Sequence, residues 1–110
     1  MEIDETTQEK IQEIQILEQN LHNLILQKQA FQMELNETEN ALSEVEKTKE
    51  DVFKVISNLM IKTDKSKLKE ELNRKKDLLN LRLKSISSQE NEFSKHLDVL
   101  RKEIMKKFKQ

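Results

Sequence analysis

His22 and His96 are the two imidazoles of a 110-residue chain that contains no cysteine. Imidazole suits proton transfer near neutral pH and is a common metal ligand. Catalysis would need a nucleophile or carboxylate held beside it, and a metal would need further His, Cys or clustered carboxylates. Neither histidine has such company in the sequence. Each follows or precedes a leucine of a helical stripe, Leu21 and Leu97, at an outward-leaning position. They read as solvated surface. Acidic pairs such as Glu70-Glu71 read as helix-surface solubility charge. With no glycine there is no glycine-rich phosphate loop, and no nucleophile motif is present. The expectation is a protein that is not an enzyme and holds no metal and no cofactor.

The elements that carry these residues are helical. Ala, Glu, Lys, Leu and Arg make up 53 of the 110 residues, and hydrophobic residues only 35%. Such a composition, with helical periodicity, marks a coiled coil or long helix with a narrow apolar seam. A strict three-four alternation runs through Ile14, Leu17, Leu21, Leu24, Lys28, Phe31, Leu35, Thr38, Leu42 and Val45. A second runs through Leu72, Lys76, Leu79, Leu83, Ile86, Glu90, Phe93, Leu97, Leu100 and Ile104. Eight of ten positions are apolar in each. This is the 3.5-residue heptad of a coiled coil. Thr6 to Glu9 fits a capping box for the first helix, and Asp64 is a suitable cap for the second. The first helix has no glycine stop, so its end falls somewhere in residues 46–50.

Between the helices, DVFKVISNLMIKTD breaks the helical pattern with two β-branched and apolar runs, Val52 to Ile56 and Leu59 to Ile61. Ser57-Asn58 separates them, and Asn tolerates the left-handed conformation that a hairpin turn needs. The reading is a β-hairpin, with continued helix as the alternative. An isolated two-stranded hairpin is marginal in water and leaves open strand edges, so this one asks for partner chains. Val52, Phe53, Val55, Ile56, Leu59, Met60 and Ile61 are the candidate oligomerisation residues.

The expected fold is therefore mainly α. One domain over residues 1–110 comprises a helix over about 6–49, a hairpin over about 51–62 and a helix over about 65–108. A helix of ~43 residues is about 65 Å long, so the chain doubles back as a long antiparallel two-helix coiled coil. The charges agree. Residues 1–50 carry 4 basic and 12 acidic side chains, net −8, while residues 51–110 carry 16 and 9, net +7. Like halves side by side would repel, whereas folding one on the other pairs opposite charges. Lys28 and Glu90 interrupt the seam within about one turn of each other, and either pair or reach separately for water.

At this point the residues resemble a known family, the prefoldin β-type subunits, in archaeal-like form. The resemblance covers nearly the whole chain. It is most specific at Val52-Phe53-Lys54-Val55-Ile56 and Leu59-Met60-Ile61-Lys62-Thr63-Asp64, followed by a Lys-rich helix start. Ser57 departs from the glycine usual in that turn, which bears on the turn type. The α-type subunits are longer and carry two hairpins, and this chain has one. The resemblance implies a hexameric co-chaperone of two α-type and four β-type chains. Their hairpins join in a β-barrel platform. Coiled-coil tips then hold unfolded proteins without ATP and deliver them to a group II chaperonin.

The residues themselves reach less far. Ile3, Ile11, Ile16, Met105 and Phe108 lie outside the strict seam near the chain ends and are the candidate client-binding residues; Ile25 and Leu26 are surplus in mid-helix. A widened core stripe or scattered surface apolars are the plainer reading of all seven. A structural or adaptor coiled coil without client-holding activity is the alternative function. Nucleic acid is not expected as a partner, because no aromatic is interleaved with the basic residues of the second helix and the first is acidic. The start, MEIDETTQEK, is acidic and not a signal peptide, and no stretch approaches the ~18 apolar residues of a membrane span. A cytoplasmic protein without membrane contact is expected.

Overall fold

The computed structural model describes residues 3–109. Helix α1 spans Glu5–Lys47, strand β1 Val52–Ile56, strand β2 Leu59–Thr63 and helix α2 Lys65–Phe108. The two strands form an antiparallel hairpin.

Each boundary has a local cause. The capping box expected at Thr6 does not form. Asp4 caps α1 instead: its Oδ1 accepts the Thr7 N–H at 2.8 Å, and its carbonyl accepts the Gln8 N–H at 3.0 Å. A carboxylate at the positive end of a helix dipole offers charge as well as an acceptor, which a threonine hydroxyl does not. At the other end of α1 no glycine is needed. Thr48 N still donates to the Glu44 carbonyl, and the Thr48 carbonyl accepts from Lys65 Nζ at 2.8 Å. A lysine from the start of α2 thus satisfies a carbonyl that the helix end would otherwise orphan. Asp64 caps α2 as expected, with Oδ1 3.2 Å from Ser66 N.

Packing divides into two compact units. The hairpin unit, Ala30–Leu83, buries Leu35, Leu42, Val45 and Leu79 from the two heptad stripes, Leu79 to 2% exposure. Thr38 is buried with them, and its hydroxyl donates to the Glu34 carbonyl at 2.8 Å, so no polar atom of its side chain goes unmet. Beside the stripe Glu34 pairs with Lys75 at 3.2 Å, and the Arg82 guanidinium lies 5.5 Å over the Phe31 ring.

The terminal unit comprises the residues up to Gln29 and those from Lys84 onward. Leu17, Leu97 and Leu100 form its core cluster, with Ile14, Leu21 and Phe93 packed against it. Leu24 and Ile86 are buried as well. Antiparallel alignment is explicit in the flanking polar contacts. Asp4 pairs with Lys107, Lys10 with Glu103, Glu13 with His96 and Glu18 with Arg101. Lys28 and Glu90 do pair, with Nζ 3.3 Å from Oε1. That oxygen is buried and lacks an aligned hydrogen bond, so the contact is Coulombic.

The turn differs from expectation in one respect. Ser57, and not Asn58, takes the positive φ, at 55°. A positive φ at the first central residue alone is the sign pattern of a type II′ turn, whose first position favours glycine. An L-residue there is strained by roughly 1–2 kcal/mol, partly offset by the chain entropy that glycine adds to the unfolded state. Ser57→Gly should therefore raise the unfolding free energy by about 0.5–1 kcal/mol, and Ser57→Val should lower it. Urea unfolding followed by circular dichroism measures both; a glycine variant less stable than the parent contradicts the turn assignment.

Candidate functional site

The hairpin register pairs Val52 with Thr63, Phe53 with Lys62, Lys54 with Ile61, Val55 with Met60 and Ile56 with Leu59. Because side chains alternate along a strand, one face carries Val52, Lys54, Ile56, Leu59, Ile61 and Thr63. The opposite face carries Phe53, Val55, Met60 and Lys62. Apolar residues therefore populate both faces, which no single-sided packing can cover.

The chain covers only the root. Val52, Lys54 and Thr63 are half-buried. Phe53, Val55, Ile56, Leu59, Met60 and Ile61 are each between 45% and 71% exposed. Two ion pairs steady the root: Lys54 Nζ lies 2.7 Å from Glu71 Oε2, and Lys62 Nζ lies 3.3 Å from Asp51 Oδ2. The Lys54 hydrogen bond, then its charge, lowers the Glu71 carboxyl below its ordinary value. A lowered carboxyl supports the fold above the unfolded-state value, and the support is lost as pH falls through the folded one. At this exposed site the effect is screened and small.

The strand edges are open too. In a two-residue hairpin the pair flanking the loop exchanges both ladder bonds, and bonded pairs then alternate. Hence Phe53 and Val55 on β1, and Met60 and Lys62 on β2, direct their backbone N–H and C=O groups outward. Two apolar faces and two unpaired edges on ten strand residues leave this surface uncovered within the chain.

The terminal unit offers the second surface. Ile3, Ile16, Met105 and Phe108 are between 41% and 61% exposed, and Ile11 is half-buried. These residues do not form one cluster. Ile11 and Phe108 lie one heptad from the Glu18–Arg101 pair, on its flank of the helix pair, and Met105 lies on that side beside Phe108. The Arg101 flank also holds a shallow groove in which Leu21, Ile25, Leu97, His22 and Asp98 meet. Ile16 stands three residues from Glu13, on the opposite flank, where Val99 stands three residues from His96. Val99 is half exposed and was not among the expected residues, although continuing the heptad count past Leu97 places it outside the seam. Met33, Leu78 and Leu81 in the hairpin unit are exposed for the same reason. Ile25 and Leu26 are exposed as well.

The side chains with chemical potential stay apart. His96 is 3.1 Å from Glu13 and half exposed, and His22 lines the groove on the other flank. Among the described residues, no three His, Cys, Asp or Glu side chains gather in a metal-binding group. Among them too, no helix is long and apolar enough to cross a membrane.

Comparison with known proteins agrees with this geometry. A model of the family described as "Prefoldin subunit" matches residues 8–110. The prefoldin subunit beta of Pyrobaculum aerophilum is 38% identical over 88 residues, covering 78% of this chain and 70% of that protein. Its counterpart in Thermococcus onnurineus is 39% identical over 89 residues, covering 79% and 77%. The crystal structure of the prefoldin beta subunit from Thermococcus strain KS-1 superposes with a TM-score of 0.86 at 32% identity, over 96% of this chain and 94% of that one. The beta2 subunit of the same strain, at 17% identity and a TM-score of 0.70, shares the fold. Two heptad helices, a two-faced apolar hairpin between them and these matches place the chain in the prefoldin subunit family.

Proposed function

We propose that this chain is a β-type subunit of a cytoplasmic, ATP-independent co-chaperone. In it, hairpins from several subunits close a β-barrel platform, and the paired helix ends hold unfolded proteins for delivery to a group II chaperonin. The observation that carries this reading is the uncovered hairpin. Six exposed apolar side chains, buried on assembly, would contribute roughly 1 kcal/mol apiece beyond the burial they already have. Pairing the two open edges adds backbone hydrogen bonds whose alternative is an aggregation-prone strand. The partners are an α-type subunit and further β-type copies in a hetero-hexamer, unfolded clients and the chaperonin. The activity is holding, without catalysis or a cofactor.

Client capture falls to Ile3, Ile11, Ile16, Met105 and Phe108. They sit near helix ends, where the backbone adapts most easily, and Met and Phe fit irregular apolar surfaces. Several weak contacts on one platform would act with avidity. An adaptor without holding activity would use neither surface in this way.

Two experiments separate the parts. Val55→Glu with Ile61→Glu should reduce the assembly mass, read by native mass spectrometry with an α-type partner, while helix content stays within a few per cent of the parent. An unchanged mass would mean that the hairpin is only a turn. Ile3, Ile16, Met105 and Phe108 all changed to Ser should leave mass and helix content intact, because surface substitutions of this kind shift stability by only about 0.5 kcal/mol each. Suppression of a denatured client's aggregation, followed by light scattering, should fall to near the level without chaperone. Full suppression by that variant would place capture elsewhere.

A further inference from the structure

The charge division between the helices is sharp within the hairpin unit. The α1 part, residues 30–47, has 5 acidic and 1 basic side chains, net −4. The α2 part, residues 65–83, has 7 basic and 3 acidic, net +4. Internal folding uses little of this complementarity. Among the described residues the single ion pair between the two helices of this unit is Glu34–Lys75. Glu39, Glu44 and Glu46 are exposed and make no ion pair with a described residue. Lys67 and Arg74 are exposed and Lys69 is half exposed, and none of the three pairs with a described carboxylate. Both surplus sets lie next to the hairpin in sequence, the acidic one leading into β1 and the basic one leading out of β2.

We infer that this surplus fixes the direction in which a second copy of the chain docks: the β1 edge of one copy pairs with the β2 edge of the next, acidic α1 beside basic α2. This rests on the proposed assembly through hairpins. Antiparallel pairing of β1 with a neighbour's β2 brings the two strand roots, Val52 and Thr63, to the same side. The end of one copy's α1 then lies against the start of the other copy's α2, and Glu44 and Glu46 face Lys67 and Lys69. Pairing like edges has no such outcome. Run parallel, it sets acid against acid or base against base; run antiparallel, it sends the second copy's helices the opposite way. Opposite charge across a contact sets orientation and suppresses wrong pairings. The unlike-edge contact is heterologous, so each copy keeps one free edge for a further neighbour until the ring closes.

The test uses the full chain alone. One variant carries Glu39→Lys, Glu44→Lys and Glu46→Lys, and the other Lys67→Glu and Arg74→Glu. Each should self-associate roughly tenfold more weakly than the parent, a shift of about 1.4 kcal/mol, in sedimentation equilibrium. Helix content should be unchanged. Mixed one to one, the two variants should recover the parent's mass, because each supplies the charge the other lacks. The parent itself should associate more weakly as salt rises from 0.1 to 1 M, where the screening length falls from about 10 to about 3 Å. Single variants that keep the parent's mass, a mixture that recovers nothing, or association that strengthens with salt each overturn the inference. So does a parent that stays monomeric throughout; if that monomer still enters a complex with an α-type partner, hairpin assembly stands and only the docking direction falls. A Val55→Glu, Ile61→Glu chain that assembles as the parent does would sink the assembly reading itself.

Discussion

One apolar stripe on each helix does nearly all the burial that this chain can do for itself. Leu17, Leu24, Ile86, Leu97 and Leu100 in the terminal unit, and Leu35, Leu42, Val45 and Leu79 in the hairpin unit, are where the core lies. A helix pair meets along one seam, and with hydrophobic residues at 35% there is no second layer to build. Most apolar side chains away from the stripes, Ile16, Met33, Leu81, Val99 and the hairpin residues among them, are consequently left facing water. The hairpin stands out among these residues because it is apolar on both faces and open along both edges. Its exposure follows from the seam's narrowness and not from any local irregularity.

The ion pairs flanking the seam have a different part. Lys10–Glu103, Glu18–Arg101 and Glu34–Lys75 are exposed, and pairs of that kind contribute between nothing and about 1 kcal/mol. Their value lies in alignment. A helix pair with a heptad repeat can slip by seven residues and still match Leu against Leu, whereas a slip breaks these specific contacts. Lys28–Glu90 does the same within the stripe, at the cost of a buried carboxylate oxygen without an aligned donor.

Much of this was legible from residue type and spacing. The two stripes follow from a three-four count, the hairpin from a β-branched run around Ser57-Asn58, and the Asp64 cap from its place before Lys65-Ser66. What could not be read depended on competition or on tertiary contact. Thr6 and Glu9 satisfy the pattern of a capping box, but Asp4 has the stronger acceptor and took the helix start. The end of α1 was indistinct because no glycine marks it, and the carbonyl beyond it is met by Lys65, seventeen residues on. Asn58 tolerates a positive φ better than serine does, yet the turn places the positive φ at the first central residue, which is Ser57. Near the chain ends, distance from the seam in sequence identified Ile11, Ile16, Met105 and Phe108 without saying which flank each occupies. That required the Glu18–Arg101 and Glu13–His96 contacts.

The central claim is that the hairpin is completed by other chains. Amide hydrogen exchange at Phe53, Val55, Met60 and Lys62 addresses it directly, because the register turns these four N–H groups away from the partner strand and outward. In the proposed platform they would be hydrogen-bonded across subunits. They should then exchange slowly, together, and at a rate that rises on dilution as the assembly dissociates. Fast exchange at these four positions at every concentration, with and without an α-type partner, while Lys54 and Ile61 remain protected, would contradict it.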